Sequence, residues 1–258
     1  MLVDIKLVIQ NNFSRISDEY REFAMRKSRC RQCSIYNEYK VNAQSEGNAE
    51  KPIFMFVGES PGEDEIKQMK PFIGRAGQRL RQELRKYPTI FNKKTCLISN
   101  LLSCRPLKNR FPNTDESYLD SNGIEMSADD VVELCADSWV RREIEIVRPK
   151  VIVFLGNQSL KFLTTKKGIT SHRGNWFFWG RSWCFATYHP SYVIRCENMS
   201  DRLHVVKEFE ADIKKVSETW HSYVNLDYRV NMSDEDAVKN EVLSFLLKEC
   251  LLGPEPIR

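Results

Sequence analysis

Apolar residues bunch along this chain in four short, nearly unbroken runs, at 53–57, 95–102, 150–155 and 183–188. Runs of that length without polar alternation read as strands buried on both faces, as in a parallel sheet covered by helices. Between them the spacing turns helical. Residues 77–85 set Leu80 and Leu84 four apart, and 129–147 carry Val132, Leu134, Trp139, Val140, Ile144 and Val147 before Pro149 ends the pattern. Further helices are predicted at 17–25, 158–164, 203–216 and 233–250, the last followed by Gly253-Pro254. Residues 176–187 read as a hairpin turning at Gly180, and 42–51 as a polar loop. Strand–helix alternation predicts an α/β fold around a central, mostly parallel four-stranded sheet, with helical additions at both termini. The economical division is one domain over 1–216 and a C-terminal helical extension over 217–258.

Polar residues follow each strand in a regular way. Gly58-Glu59-Ser60-Pro61 comes after the first, Asn100 lies near the end of the second, Gly156-Asn157 follows the third and His189-Pro190-Ser191 the fourth. Open α/β sheets bind ligands outside the carboxyl ends of their strands. Glu59, Asn100 and His189 are therefore expected to share one crevice.

Composition narrows the class. Of 258 residues, 41% are hydrophobic and 29% charged, which suits a folded globular protein and excludes a disordered one. No apolar run approaches the ~20 residues of a membrane helix. The first residues carry Asp4 and lack a small-residue cleavage site, so a cytoplasmic protein without a signal peptide is expected. Net charge is +4, yet 111–140 holds eight acidic residues and no Lys or Arg. Basic residues cluster elsewhere: Arg26, Lys27, Arg29 and Arg31; Arg75, Arg79, Arg81, Arg85 and Lys86; Arg105, Lys108 and Arg110. Such clusters are either a phosphate-binding face or solvated helix surfaces.

In a reducing compartment, cysteines at chosen spacings are more often metal ligands than disulfides. Cys30-Arg31-Gln32-Cys33 is a redox pair, half a zinc site or half an iron–sulfur site, and the absence of a second C-x-x-C counts against a zinc ribbon. Cys104 and Cys135, outside the predicted strands, are the candidates to complete a four-cysteine site for zinc or a cluster. Cys96 and Cys184 lie within strands and read as core; Cys196 and Cys250 have no evident partner.

Taken in order, five blocks resemble the family-4, iron–sulfur branch of the uracil-DNA glycosylase superfamily. They are Gly58-Glu59-Ser60-Pro61-Gly62-Glu63-Asp64-Glu65, Lys70-Pro71-Phe72-Ile73-Gly74-Arg75-Ala76-Gly77, the Asn-x-x-x-Cys-Arg-Pro stretch from Asn100 to Pro106, the strand ending at Gly156, and His189-Pro190-Ser191-Tyr192-Val193-Ile194-Arg195. The resemblance implies a three-layer α/β/α fold and a [4Fe–4S] cluster on Cys30, Cys33, Cys104 and Cys135. It implies a DNA N-glycosylase that flips uracil from single- or double-stranded DNA and hydrolyses its N-glycosidic bond. Glu59 and His189 fall on catalytic positions; Ser60, Glu65, Phe72 and Asn100 on base-binding ones; Ser191, Tyr192, Arg195 and Arg75 on DNA-binding ones. Ser60 stands where a better-known branch of the superfamily has an aspartate, so no carboxylate there activates water. Residues 192–195 suit a wedge loop filling the gap left by the base. A monomer is expected.

Two stretches lie outside the resemblance: the acidic insertion at about 111–134, expected near the DNA face, and the C-terminal extension. They keep open a glycosylase for a C5-modified pyrimidine of viral DNA, and a non-catalytic DNA-binding module of the same fold. An electron-transfer protein would want a denser cysteine run, such as C-x-x-x-C-x-x-C.

Overall fold

The computed structural model describes residues 4–230. In chain order the elements are α1 (Ile5–Asn12), β1 (Phe13–Arg15), α2 (Asp18–Ser28), α3 (Ile35–Tyr39), β2 (Glu46–Asn48), β3 (Phe54–Gly58), α4 (Glu63–Gln68), α5 (Arg75–Leu84) and β4 (Cys96–Asn100). There follow β5 (Tyr118–Leu119), β6 (Glu125–Met126), α6 (Ala128–Cys135), a π-helical turn (Ala136–Arg141), α7 (Arg142–Val147), β7 (Val151–Leu155), α8 (Asn157–Thr164) and α9 (Ile169–His172). The described chain closes with β8 (Trp176–Trp179), β9 (Ser182–Thr187), α10 (Pro190–Cys196) and α11 (Leu203–Val230).

The four apolar runs form the centre of the sheet, β4-β3-β7-β9, all parallel. The sheet has seven strands rather than four: β2 adds antiparallel to β4, β1 parallel to β2, and β8 antiparallel to β9. The two unforeseen strands are three residues long and one is polar, so neither carries a hydrophobic run. β2 lies within the stretch predicted as a solvated loop, yet residues 42–49 are buried throughout. Partners explain this. Glu46 meets Arg81 and Lys70, and the Asn48 amide donates to the Lys51 and Lys94 carbonyls.

Successive strand residues point to opposite faces, and each face has its own core. Met55, Val57, Leu97, Ile152 and Phe154 pack with Tyr20 and Phe23 of α2 and with Val131 and Val132 of α6. Phe54, Phe56, Ile98, Val153 and Phe185 pack with Leu80 and Leu84 of α5 and with Phe209 and Ile213 of α11. The result is helix, sheet, helix. Each fully buried side chain of this size contributes about 1.5–3 kcal/mol.

α11 runs through the boundary expected at 216/217, and Trp220 meets Phe54 edge-on with ring centroids 5.4 Å apart. The helix expected at 233–250, and Cys250, lie outside the described residues. No helix among the described residues is long and apolar enough to cross a membrane.

The acidic insertion folds as the small β5-β6 hairpin. It docks on the C-x-x-C loop: Ser34 N–H donates to the Leu119 carbonyl (2.8 Å), Leu119 N–H to Ser34 Oγ (3.0 Å), and Cys33 bridges Asp120. Much of the basic charge is also absorbed internally. Arg79 is buried against Glu83, Glu197 and Glu210, and Lys27 is buried 3.9 Å from Glu143. Those two cations are structural and offer nothing to phosphates.

Candidate active site

All ten residues expected to catalyse, hold a base or touch DNA line one cavity of about 800 Å³ at the carboxyl ends of the parallel strands: Glu59, Ser60, Glu65, Phe72, Arg75, Asn100, His189, Ser191, Tyr192 and Arg195. β3 delivers Glu59 and Ser60, β4 ends on Asn100, and β9 leads through Tyr188 to His189. Two glycines let these groups meet. A Cβ on Gly58 would fall 2.4 Å from Phe72 Cζ and 2.6 Å from Asn100 Oδ1, so ring and amide lie together over the end of β3. A Cβ on Gly156 would fall 2.8 Å from His189 Cβ and 3.4 Å from Glu59 Oε1, and φ there is +93°, a conformation glycine alone adopts freely. The Phe72 and His189 rings stand 6.2 Å apart at 42°.

Phe72 itself has φ 54°, rare for a bulky residue and worth about 1–3 kcal/mol of strain. A clamp holds it. Arg81 Nε donates to the Phe72 carbonyl (2.9 Å) and Nη2 to the Pro71 carbonyl (3.1 Å), while Glu46 neutralises Arg81 and reaches Lys70 at 2.9 Å. Nothing in the local pattern marks Arg81 for this. Its replacement by Ala is expected to cut single-turnover excision by up to about 10²-fold, as misplaced binding groups do, with far-UV circular dichroism unchanged; retained activity would show that the ring is set otherwise.

His189 caps α10, with Pro190 at its first position, where the missing N–H is no loss. Ser191 N–H donates to Nδ1 (3.2 Å) and the Ser191 hydroxyl lies 2.8 Å away. With Nδ1 accepting, the ring proton sits on Nε2. Removal from water, then the nearby Arg195 charge, lowers the His189 pKa to about 4, so the ring is neutral near pH 7. The same desolvation raises the Glu59 pKa, with Arg195 opposing it. Excision is expected to show no break at the ordinary histidine value, and one acid limb, above pH 4.5, that disappears in Glu59→Gln; a limb surviving that change would assign it elsewhere.

Glu65 accepts N–H bonds from Gly62 and Gly74, which closes the 62–74 loop against the cavity. Residues 192–195 are not a loop as expected but part of α10: Val193 is fully buried in the core, while Tyr192, Ile194 and Arg195 face the cavity. Phe111 and Asn109, at the head of the insertion, also line it, so that end of the insertion does lie beside the site.

Cys30, Cys33, Cys104 and Cys135 line a second, small apolar cavity with Ile35, Tyr36, Leu102, Ser103, Leu134 and Trp139. All four are free thiols. Burial raises the pKa of Cys104 and of Cys135, the latter to about 12, and the neighbouring thiols add to the effect. Among the described residues no three His, Cys, Asp or Glu side chains gather as ligands of one ion. The thiols are spread around a cavity instead.

Residues 44–214 match the uracil DNA glycosylase superfamily. The type-4 uracil-DNA glycosylase of Sulfurisphaera tokodaii is 32% identical over 198 residues, spanning 73% of this chain and 79% of that protein. Those of Saccharolobus solfataricus and Thermotoga maritima are 30% identical over 221 residues (82% and 88%) and 33% over 188 residues (72% and 88%). With its parallel sheet, its polar groups at the strand ends and this extent of similarity, the chain belongs to the uracil DNA glycosylase superfamily, in its type-4 group.

Proposed function

We propose that this protein excises uracil from DNA, breaking the bond between the base and C1′ and leaving an abasic site. The observation that carries the reading is the convergence of an aromatic face, an amide, a neutral imidazole and a desolvated carboxylate on one cavity, in a chain whose relatives bear the type-4 uracil-DNA glycosylase name. A base within a duplex is out of reach, so it is flipped and held. Phe72 stacks on it and Asn100 reads its Watson–Crick edge. Glu65, fixed by two backbone donors, walls the C5 side against the methyl of thymine.

When the C1′–N1 bond breaks, its electron pair leaves with the base and C1′ becomes cationic. His189 Nε2–H donates to the base oxygen where the negative charge gathers; being neutral already, it needs no proton exchange to do so. Glu59 faces the sugar and stabilises the cation. Water then adds to C1′ and gives up a proton to solvent, and the departing base anion takes one from solvent, so that neutral base and a C1′ hydroxyl result. Ser191 orients the imidazole, and Tyr192, Arg195 and Arg75 meet the DNA strand, so binding weakens with salt.

The four cysteines suit a [4Fe–4S] cluster better than one zinc ion. Zinc draws four ligands onto a single point, whereas a cubane takes one thiolate at each of four irons around a volume. Held by Cys30, Cys33, Cys104 and Cys135, such a cluster would serve structurally, tying the C-x-x-C loop to the turn after β4 and to α6.

Oligonucleotides carrying uracil, hydroxymethyluracil or hypermodified pyrimidines, treated with the protein and then with alkali, test the activity. Strand breaks at uracil are expected. Breaks only at a modified base, or none, would overturn the reading.

A further inference from the structure

The wall of the four-cysteine cavity contains two polar side chains whose hydrogen-bonding groups are buried and unused. Trp139 Nε1 and Ser103 Oγ are both shielded from water, and neither has a hydrogen-bond partner among the described residues. Leaving such a donor unmatched typically costs about 1–3 kcal/mol, so buried orphans point to something that satisfies them. Both residues line the same small cavity as Cys30, Cys33, Cys104 and Cys135, and the remaining wall is largely apolar, with Ile35, Leu102 and Leu134.

The local chain supports the same direction. Ser103 precedes Cys104, and its backbone N–H donates to Cys135 Sγ at 3.5 Å, so sulfur already serves as an acceptor at this wall. Trp139 lies in the π-helical turn that follows Cys135 directly; such turns inside helices are frequent at functional sites. An indole N–H is a donor only. It therefore needs an acceptor; beside Gln32, whose Oε1 already lies 3.6 Å from Cys30 Sγ, the cavity's acceptors are mainly the sulfurs of its four cysteines.

We propose that Trp139 Nε1–H and Ser103 Oγ–H are outer hydrogen-bond donors to the sulfur atoms of the cluster, holding it in place and setting its reduction potential. The proposal rests on the cluster reading above. Thiolate-bound iron–sulfur centres carry net negative charge, and donors to their sulfurs stabilise the reduced, more negative state and raise the potential. Loss of an outer partner of a metal ligand also typically costs about 10–100-fold in metal affinity.

The test uses the full chain purified without oxygen, as wild type, Trp139→Phe, Ser103→Ala and the double variant. Iron and sulfide content of the wild type is measured first. Zinc, or no iron, would defeat the cluster reading itself and the inference with it. With the wild type loaded, Trp139→Phe is expected to retain its iron on isolation but to show a lower reduction potential and about 10-fold faster iron release to a chelator. Ser103→Ala should shift both in the same direction by less. Potentials and release rates equal to wild type in fully loaded variants would overturn this inference and leave the cluster standing. If Trp139→Phe fails to assemble, Ser103→Ala and the deuterium sensitivity of the wild-type Fe–S stretching bands decide: no change in either refutes the donors.

Discussion

His189→Ala is expected to slow single-turnover excision of uracil by about 10²–10³-fold, the usual effect of removing one donor to a developing anion. The fold should survive, since the side chain's hydrogen bonds in the structure are to Ser191 at the start of α10. The informative comparison is His189→Gln, which restores a neutral donor without an ionisable group. If the imidazole acts as a neutral donor, Gln recovers part of the rate. If it acts by giving up a proton, Gln is as poor as Ala. The low His189 pKa favours the first outcome: burial leaves almost no imidazolium near pH 7. The same shift bears on stability. The unfolded chain takes up the proton near 6.5 and the folded one near 4, so acidification through that interval favours unfolding.

Gly58→Ala is expected to impair base binding and cut excision by about 10²-fold while the protein still folds. The added methyl would stand 2.4 Å from the Phe72 ring and 2.6 Å from the Asn100 amide, and one of them must move. Overpacking of this kind destabilises by about 1–3 kcal/mol, which a thermal melt reads as a modest shift. Displacing a reading or stacking group by an ångström lowers the rate by about 10²-fold. Excision should therefore fall far more than the melting temperature. Equal losses would mean that Gly58 serves the fold alone.

The central strands and the three groups at their ends were legible because they obey rules that act along the chain: apolar continuity in covered strands, and ligand groups at carboxyl ends. What escaped was tertiary. β2 reads as a loop because Glu46 and Asn48 are polar, and only the folded chain supplies the Arg81, Lys70 and carbonyl partners that let them be buried. Arg79 and Lys27 belong to basic clusters along the chain, and only the fold brings them their carboxylate partners. Arg81 supports Phe72 from nine residues away through backbone carbonyls, a contact no spacing rule announces. Residues 192–195 read as a loop along the chain, whereas the fold makes them part of α10 with Val193 in the core, because only the tertiary packing buries that side chain.

The hairpin of the insertion has a bearing on assembly. Cys104 and Cys135 bracket a long excursion of the chain, and an unrestrained span of that kind would have to be closed against its own entropy each time the thiols gather. Closure grows only slowly with length, about 0.6 kcal/mol per doubling, and here it is largely met in advance, because Leu119 and Asp120 are stitched to Cys33 and Ser34 midway. The detour is thereby divided into two short arcs that converge on the same corner of the molecule. The four thiols thus lie at one corner that the polypeptide's own hydrogen bonds hold together, so that corner is expected to keep its shape before any cofactor binds there.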